Sequence, residues 1–143
     1  MALVLSMSKT TYEEYLEKNG KLIYRNVGVS MLPLIKQGRD FFIVEKKSEK
    51  RCRKYDVVLY KKPNDVYILH RIIDVNENDY TIRGDNCILK EHAIKDEDII
   101  GVMTSFIRKG KEYSVENRLY KIYSVIWCKF FFLRRFCQKF IYH

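Results

Sequence analysis

Residues 56–71 read DVVLYKKPNDVYILHR, and this stretch decides the fold. Val57 to Tyr60 and Val66 to Leu69 are β-branched and aromatic runs of strand length. Pro63-Asn64-Asp65 between them has turn chemistry. Similar runs lie outward on both sides: Leu22 to Tyr24, Phe41 to Val44 and Ile99 to Arg108. Gly38, Asn76 to Asp79 and Gly84-Asp85-Asn86 punctuate them. Lys109-Gly110, between Ile99 to Arg108 and Lys111 to Val115, reads as a final hairpin turn. Strands at this spacing with little helix between them predict a mainly β, antiparallel fold.

Helical signals stand only at the ends. Thr10 to Asn19 has a threonine cap at Thr10 or Thr11, Glu13 and Glu14 in its first turn, and Gly20 as a stop. In the tail, Leu119, Ile122, Ile126, Phe130, Leu133, Cys137 and Phe140 recur every three or four residues. This spacing predicts an amphipathic helix. The expected organisation is an N-terminal helix over residues 1–20, a β domain over 21–115 and a basic amphipathic helix over 116–143.

The chain of 143 residues is long enough for one domain with its own core. Its 47% hydrophobic and 31% charged content is that of a globular protein. The net charge is +9, and Arg118 to His143 holds six basic residues and no Asp or Glu. Such a block seeks an anionic surface or is simply a solvated face. The four cysteines, at 52, 87, 128 and 137, form no CxxC pair and have no zinc-site spacing. No metal or cofactor is implied, and free thiols in a reducing compartment are expected. No stretch has the length of a spanning helix, and Met1 to Ser8 lacks the basic start of a signal peptide. A cytoplasmic location follows as the expectation.

Three segments can carry chemistry. In Gly28-Val29-Ser30-Met31-Leu32-Pro33, glycine permits a tight path and proline fixes the exit. Such a turn can present Ser30 and its own backbone N–H, or serve only as a turn. His70 stands on a strand, where a rigid backbone can hold a general base; His92 lies in a polar stretch and His143 is terminal. Asp85, on a turn after the strand at Tyr80 to Arg83, and Glu91 are carboxylates that can orient a histidine. Singly, each of these residues is as well explained by local structure.

Together and in this order, the segments resemble the signal peptidase I superfamily, in its Ser/His branch. The resemblance rests on five ordered boxes: Gly28 to Pro33, Gly38-Arg39-Asp40, Asp56-Val57-Val58, His70-Arg71 and Gly84-Asp85-Asn86. Ile99-Ile100-Gly101-Val102 fits the last core strand of that family. The chain is most similar to compact, anchorless bacterial relatives, and the similarity spans about residues 21–108. It implies a LexA-like or signal-peptidase-like β-fold. It also implies a serine endopeptidase in which Ser30 is the nucleophile and His70 the base, where many relatives use lysine. Asp85 or Glu91 would orient His70, and the Ser30 N–H would donate to the oxyanion. Gly28, Met31 and Pro33 would contact substrate. Arg39 interrupts the usual Gly-Asp pair, and Tyr55 replaces a glycine.

The implied substrates are signal- or leader-like peptides cut after small residues. The alternative is a peptide-binding module of the same fold, without the chemistry, serving a peptide-maturation system. The tail either meets a membrane surface, with Trp127, Phe130, Phe131 and Leu133 entering the interface, or packs its apolar stripe on the β core. With no helix-turn-helix signature in the chain, no nucleic-acid partner is expected.

Overall fold

In the computed structural model, Val57 and Leu59 point into one hydrophobic cluster, and Val58 and Tyr60 into another. The same split holds on the partner strand, with Tyr67 and Leu69 opposed to Ile68 and Ile72. Both faces of this pair are therefore covered. This is why the runs are continuously apolar instead of alternating. The structure describes residues 2–3, 10–130 and 136.

The strands are β1 (Ala2–Leu3), β2 (Lys21–Arg25), β3 (Phe41–Lys46), β4 (Val57–Lys62), β5 (Val66–Val75), β6 (Tyr80–Arg83), β7 (Glu91–Ile94), β8 (Ile99–Arg108) and β9 (Lys111–Ser114). They form one antiparallel sheet in the order β2-β3-β8-β4-β5-β6-β7. β1 pairs with β5 and β9 with β8. Among the described residues the fold is thus mainly antiparallel β with two α-helices, the mainly β fold that the sequence predicts. The β4–β5 turn is Pro63-Asn64-Asp65, with Asn64 and Asp65 at positive φ, a conformation these two residues tolerate.

Two expectations need correction. β5 runs on to Val75, so His70 lies within a long strand instead of at the end of a short one. The polar stretch Lys90 to Lys95 contains β7, which pairs with β6. His92 and Ala93 are exposed and Glu91 is polar, so β7 lacks the apolar pattern that marks a strand.

Helix α1 (Tyr12–Asn19) is closed by a capping box between Thr11 and Glu14 and stopped by Gly20 at φ 74°. Tyr12 and Leu16 fix it to the core, where the Tyr12 ring meets Tyr24 and Tyr67 edge to face. Helix α2 (Arg118–Lys129) is capped by Asn117 and buries Tyr120, Ser124 and Trp127. Of the two readings of the tail, Trp127 follows the one in which it packs on the core: it points inward. Phe131 and Leu133, and the tail beyond Phe130 apart from Phe136, lie outside the described residues.

Candidate active site

The register of β4 on β5 places His70 opposite Val58, with Tyr60 opposite Ile68. Residues two apart share a face, so Tyr60 is the diagonal neighbour of His70 on one side of the sheet. The Tyr60 hydroxyl lies 3.3 Å from His70 Nδ1 and donates to Glu91 Oε2 at 2.9 Å. Glu91 comes from β7, opposite Ile82 of β6, and its other oxygen accepts from Lys62 Nζ at 3.1 Å. Burial, and then the neighbouring Glu91, push the Tyr60 hydroxyl far above its usual pKa. It therefore keeps its proton.

This arrangement sets the imidazole tautomer. A phenol has one proton, and the Tyr60 proton goes to the carboxylate, so its oxygen accepts from His70 Nδ1–H. Nε2 is then the unprotonated nitrogen. His70 is only 7% exposed, and its pKa falls to about 4. Burial is the main cause, opposed by the charges of Glu91 and Asp85. The ring is neutral near pH 7 and can accept a proton.

Nε2 faces the loop that follows β6. A Cβ added to Gly84 would stand 2.9 Å from His70 Nε2, 2.8 Å from the Ser30 carbonyl oxygen and 2.7 Å from Cys87 Sγ. Only glycine allows these three groups to crowd one point. Asn86 ties the serine turn to the same loop: its N–H donates to the Ser30 carbonyl at 2.8 Å, and its side-chain amide to the Val29 carbonyl at 3.0 Å. Ser30 is 9% exposed. Gly28, at φ 85°, turns the chain into this segment, and a cis Leu32–Pro33 bond leads out of it.

Asp85 serves a second network. Its carboxylate takes Arg71 Nε at 2.8 Å, Arg71 Nη2 at 2.9 Å and the Tyr123 hydroxyl at 2.7 Å. Burial opposes the charge on Arg71, yet Asp85 outweighs it and holds the guanidinium well above its usual pKa. Arg71 Nη1 also donates to the Tyr55 carbonyl, the Tyr120 hydroxyl and Ser124 Oγ. Trp127 Nε1 donates to the Asp85 backbone carbonyl at 2.6 Å. Of the two carboxylates considered from sequence, Glu91 reaches His70 through Tyr60. Asp85 instead joins the loop to α2 and acts on His70 through space.

The structure thus brings Ser30, His70 and Glu91 to one region. Met31 is corrected as a substrate contact: it is fully buried in the core cluster that includes Leu34, Ile35 and Phe42. Pro33 lines a cavity of about 740 Å³ along α2, with Leu34, Phe106 and Tyr123 among its walls. Three surface cavities border α2, and Ser30 and His70 do not line these three. Among the described residues, no cluster of His, Cys, Asp or Glu is arranged to hold a metal ion.

Arg39 and Tyr55, which differ from the pattern the sequence resembles, each have a local structural setting. Arg39 pairs with the buried Asp40, which also accepts from the Lys36 and Lys109 backbone amides. Burial would raise the Asp40 pKa, but these partners hold it below the usual carboxylate range. Tyr55 adopts φ 76°, the left-handed conformation for which glycine is best suited.

Tyr60 is the site residue that sequence reasoning missed. Its signal was its place in an apolar strand run, which reads as core; only the strand register brings it to His70. No family model matches this chain, and comparisons with curated proteins and with solved structures also find no match.

Proposed function

We propose that the protein is a serine endopeptidase with Ser30 as nucleophile and His70 as general base. The observation that carries the reading is the Tyr60 bridge, which commits the Glu91-linked nitrogen of His70 to donating and leaves Nε2 as a base beside the Ser30 turn. In this mechanism Ser30 Oγ attacks the scissile carbonyl while His70 Nε2 takes its proton. The imidazolium is stabilised through Nδ1–H to Tyr60, with the charges of Glu91 and Asp85 nearby. The Ser30 N–H donates to the oxyanion. His70 then protonates the leaving amine, and water, activated by the same nitrogen, hydrolyses the ester.

The substrate class proposed is a signal- or leader-like peptide with a small residue before the cut. The action is proposed to lie on the cytoplasmic side, as the absence of a CxxC pair among the four cysteines leads one to expect. Among the described residues, no helix is long and apolar enough to cross a membrane. Cleavage of a cognate precursor tests the reading: Ser30→Ala and His70→Ala should each abolish it, and full activity in either variant rejects the assignment.

One observation favours a second reading, a peptide-binding module. Ser30 is nearly covered, and a cavity of about 740 Å³ lies along α2. On that reading the wild-type protein would bind peptide without turnover and would not react with a serine-directed probe.

A further inference from the structure

Helix α2 presents two different faces. Tyr120, Ser124 and Trp127 are buried, and the inward side is locked by polar bonds. Arg71 donates to Tyr120 and Ser124, Tyr123 donates to the Asp85 carboxylate, and Trp127 donates to the Asp85 carbonyl. These bonds fix the rotation of the helix about its axis. Leu119, Ile122, Ile126 and Phe130 follow at helical spacing on another face, 78%, 54%, 41% and 45% exposed. With the inner side pinned, this stripe cannot turn into the core.

The surroundings of the stripe are cationic. Arg118 and Lys129 stand on the same helix. The tip of the β8–β9 hairpin contributes Arg108, Lys109 and Lys111, which share a cavity wall with Leu119. That wall contains no carboxylate. Glu116, just before the helix, is paired with Lys121. From Arg118 onward the sequence has no acidic residue. Large apolar side chains on a convex helix face with lysine and arginine at the margins suit the interface plane of a bilayer. The charge selects anionic headgroups.

We propose that the outer face of α2, with the β8–β9 hairpin tip, docks this protein on a membrane surface rich in anionic phospholipid. The contact is independent of the peptidase reading. It would hold the Asp85 loop, and with it the serine turn, at a fixed height above the bilayer.

The test is co-sedimentation of the full chain with vesicles. Vesicles of equal parts phosphatidylcholine and phosphatidylglycerol should retain it, and phosphatidylcholine alone should retain it at least about tenfold less. The double variant Ile122→Glu, Ile126→Glu should lose about tenfold or more of the retention. Both positions are exposed, and an unchanged thermal transition checks that the variant folds. Trp127, the only tryptophan, should show little change in emission on binding, because it stays inward. Equal retention by both vesicle types, or by the double variant, overturns the proposal. So does retention on DNA with none on vesicles.

Discussion

At the scale of single residues, the role proposed for His70 rests on Tyr60 and Gly84. Tyr60→Phe removes the hydroxyl that joins Nδ1 to Glu91 and leaves both without this partner. Peptide cleavage should fall by about a hundredfold in kcat/KM, whereas folding stability, read from urea unfolding, should drop by only about 1–3 kcal/mol. Unchanged turnover would remove Tyr60 from the site. Gly84→Ala places a methyl group within 3 Å of the Ser30 carbonyl and of Nε2, so one of them must move. Loss of turnover in a protein that still folds is the expected result. The pH profile follows from the depressed pKa of about 4. The base form persists to lower pH than for an ordinary histidine, whose pKa is about 6.5. The rate should stay flat down to about pH 5 and fall only towards 4. A midpoint near pH 6.5 would contradict the burial argument.

At the scale of elements, the Arg71–Asp85 pair links β5, the loop after β6 and α2. Both side chains are essentially inaccessible to solvent. Removing one partner strands the other charge, so Asp85→Ala should cost about 3–5 kcal/mol in chemical denaturation. A cost below about 1 kcal/mol would mean that the network does not hold α2 in place. Much of the element level was legible in the sequence: the turn chemistry at Pro63 to Asp65, a threonine cap at Thr10 or Thr11 (Thr11 in the structure) and the Lys109-Gly110 hairpin are local signals. β7 was not, because Glu91 to Ile94 is a short, half-exposed segment with no apolar pattern. The division of α2 into a locked face and an exposed face was also hidden. Tyr120, Ser124 and Trp127 are held by residues distant in sequence.

At the scale of the whole molecule, the buried neutral His70 makes stability depend on pH. Its folded pKa is lowered, so between about 4 and 6.5 the unfolded chain binds the extra proton. Stability should be complete above about pH 6.5 and decline as pH falls towards 4, by on the order of 3 kcal/mol from this group. His70→Gln should flatten that part of the melting-temperature profile. The candidate site draws on β4, β5, β7, the loop after β6 and the Ser30 turn. Ser30, His70, Asp85 and Glu91 could be nominated by the resemblance that the ordered boxes carry. Choosing between the carboxylates required the sheet. Register puts Tyr60 beside His70, and β7 brings Glu91 to Tyr60, whereas Arg71 and Tyr123 draw the Asp85 carboxylate towards α2.

The central claim is that His70 makes Ser30 nucleophilic, and covalent labelling reads it without knowledge of the substrate. The wild-type protein and His70→Ala would be treated with a fluorophosphonate at neutral pH, and the adduct located by mass spectrometry of the digested chain. The account predicts one adduct, on Ser30, in the wild type and none in His70→Ala. An unlabelled wild type, or equal labelling of the two proteins, would contradict it.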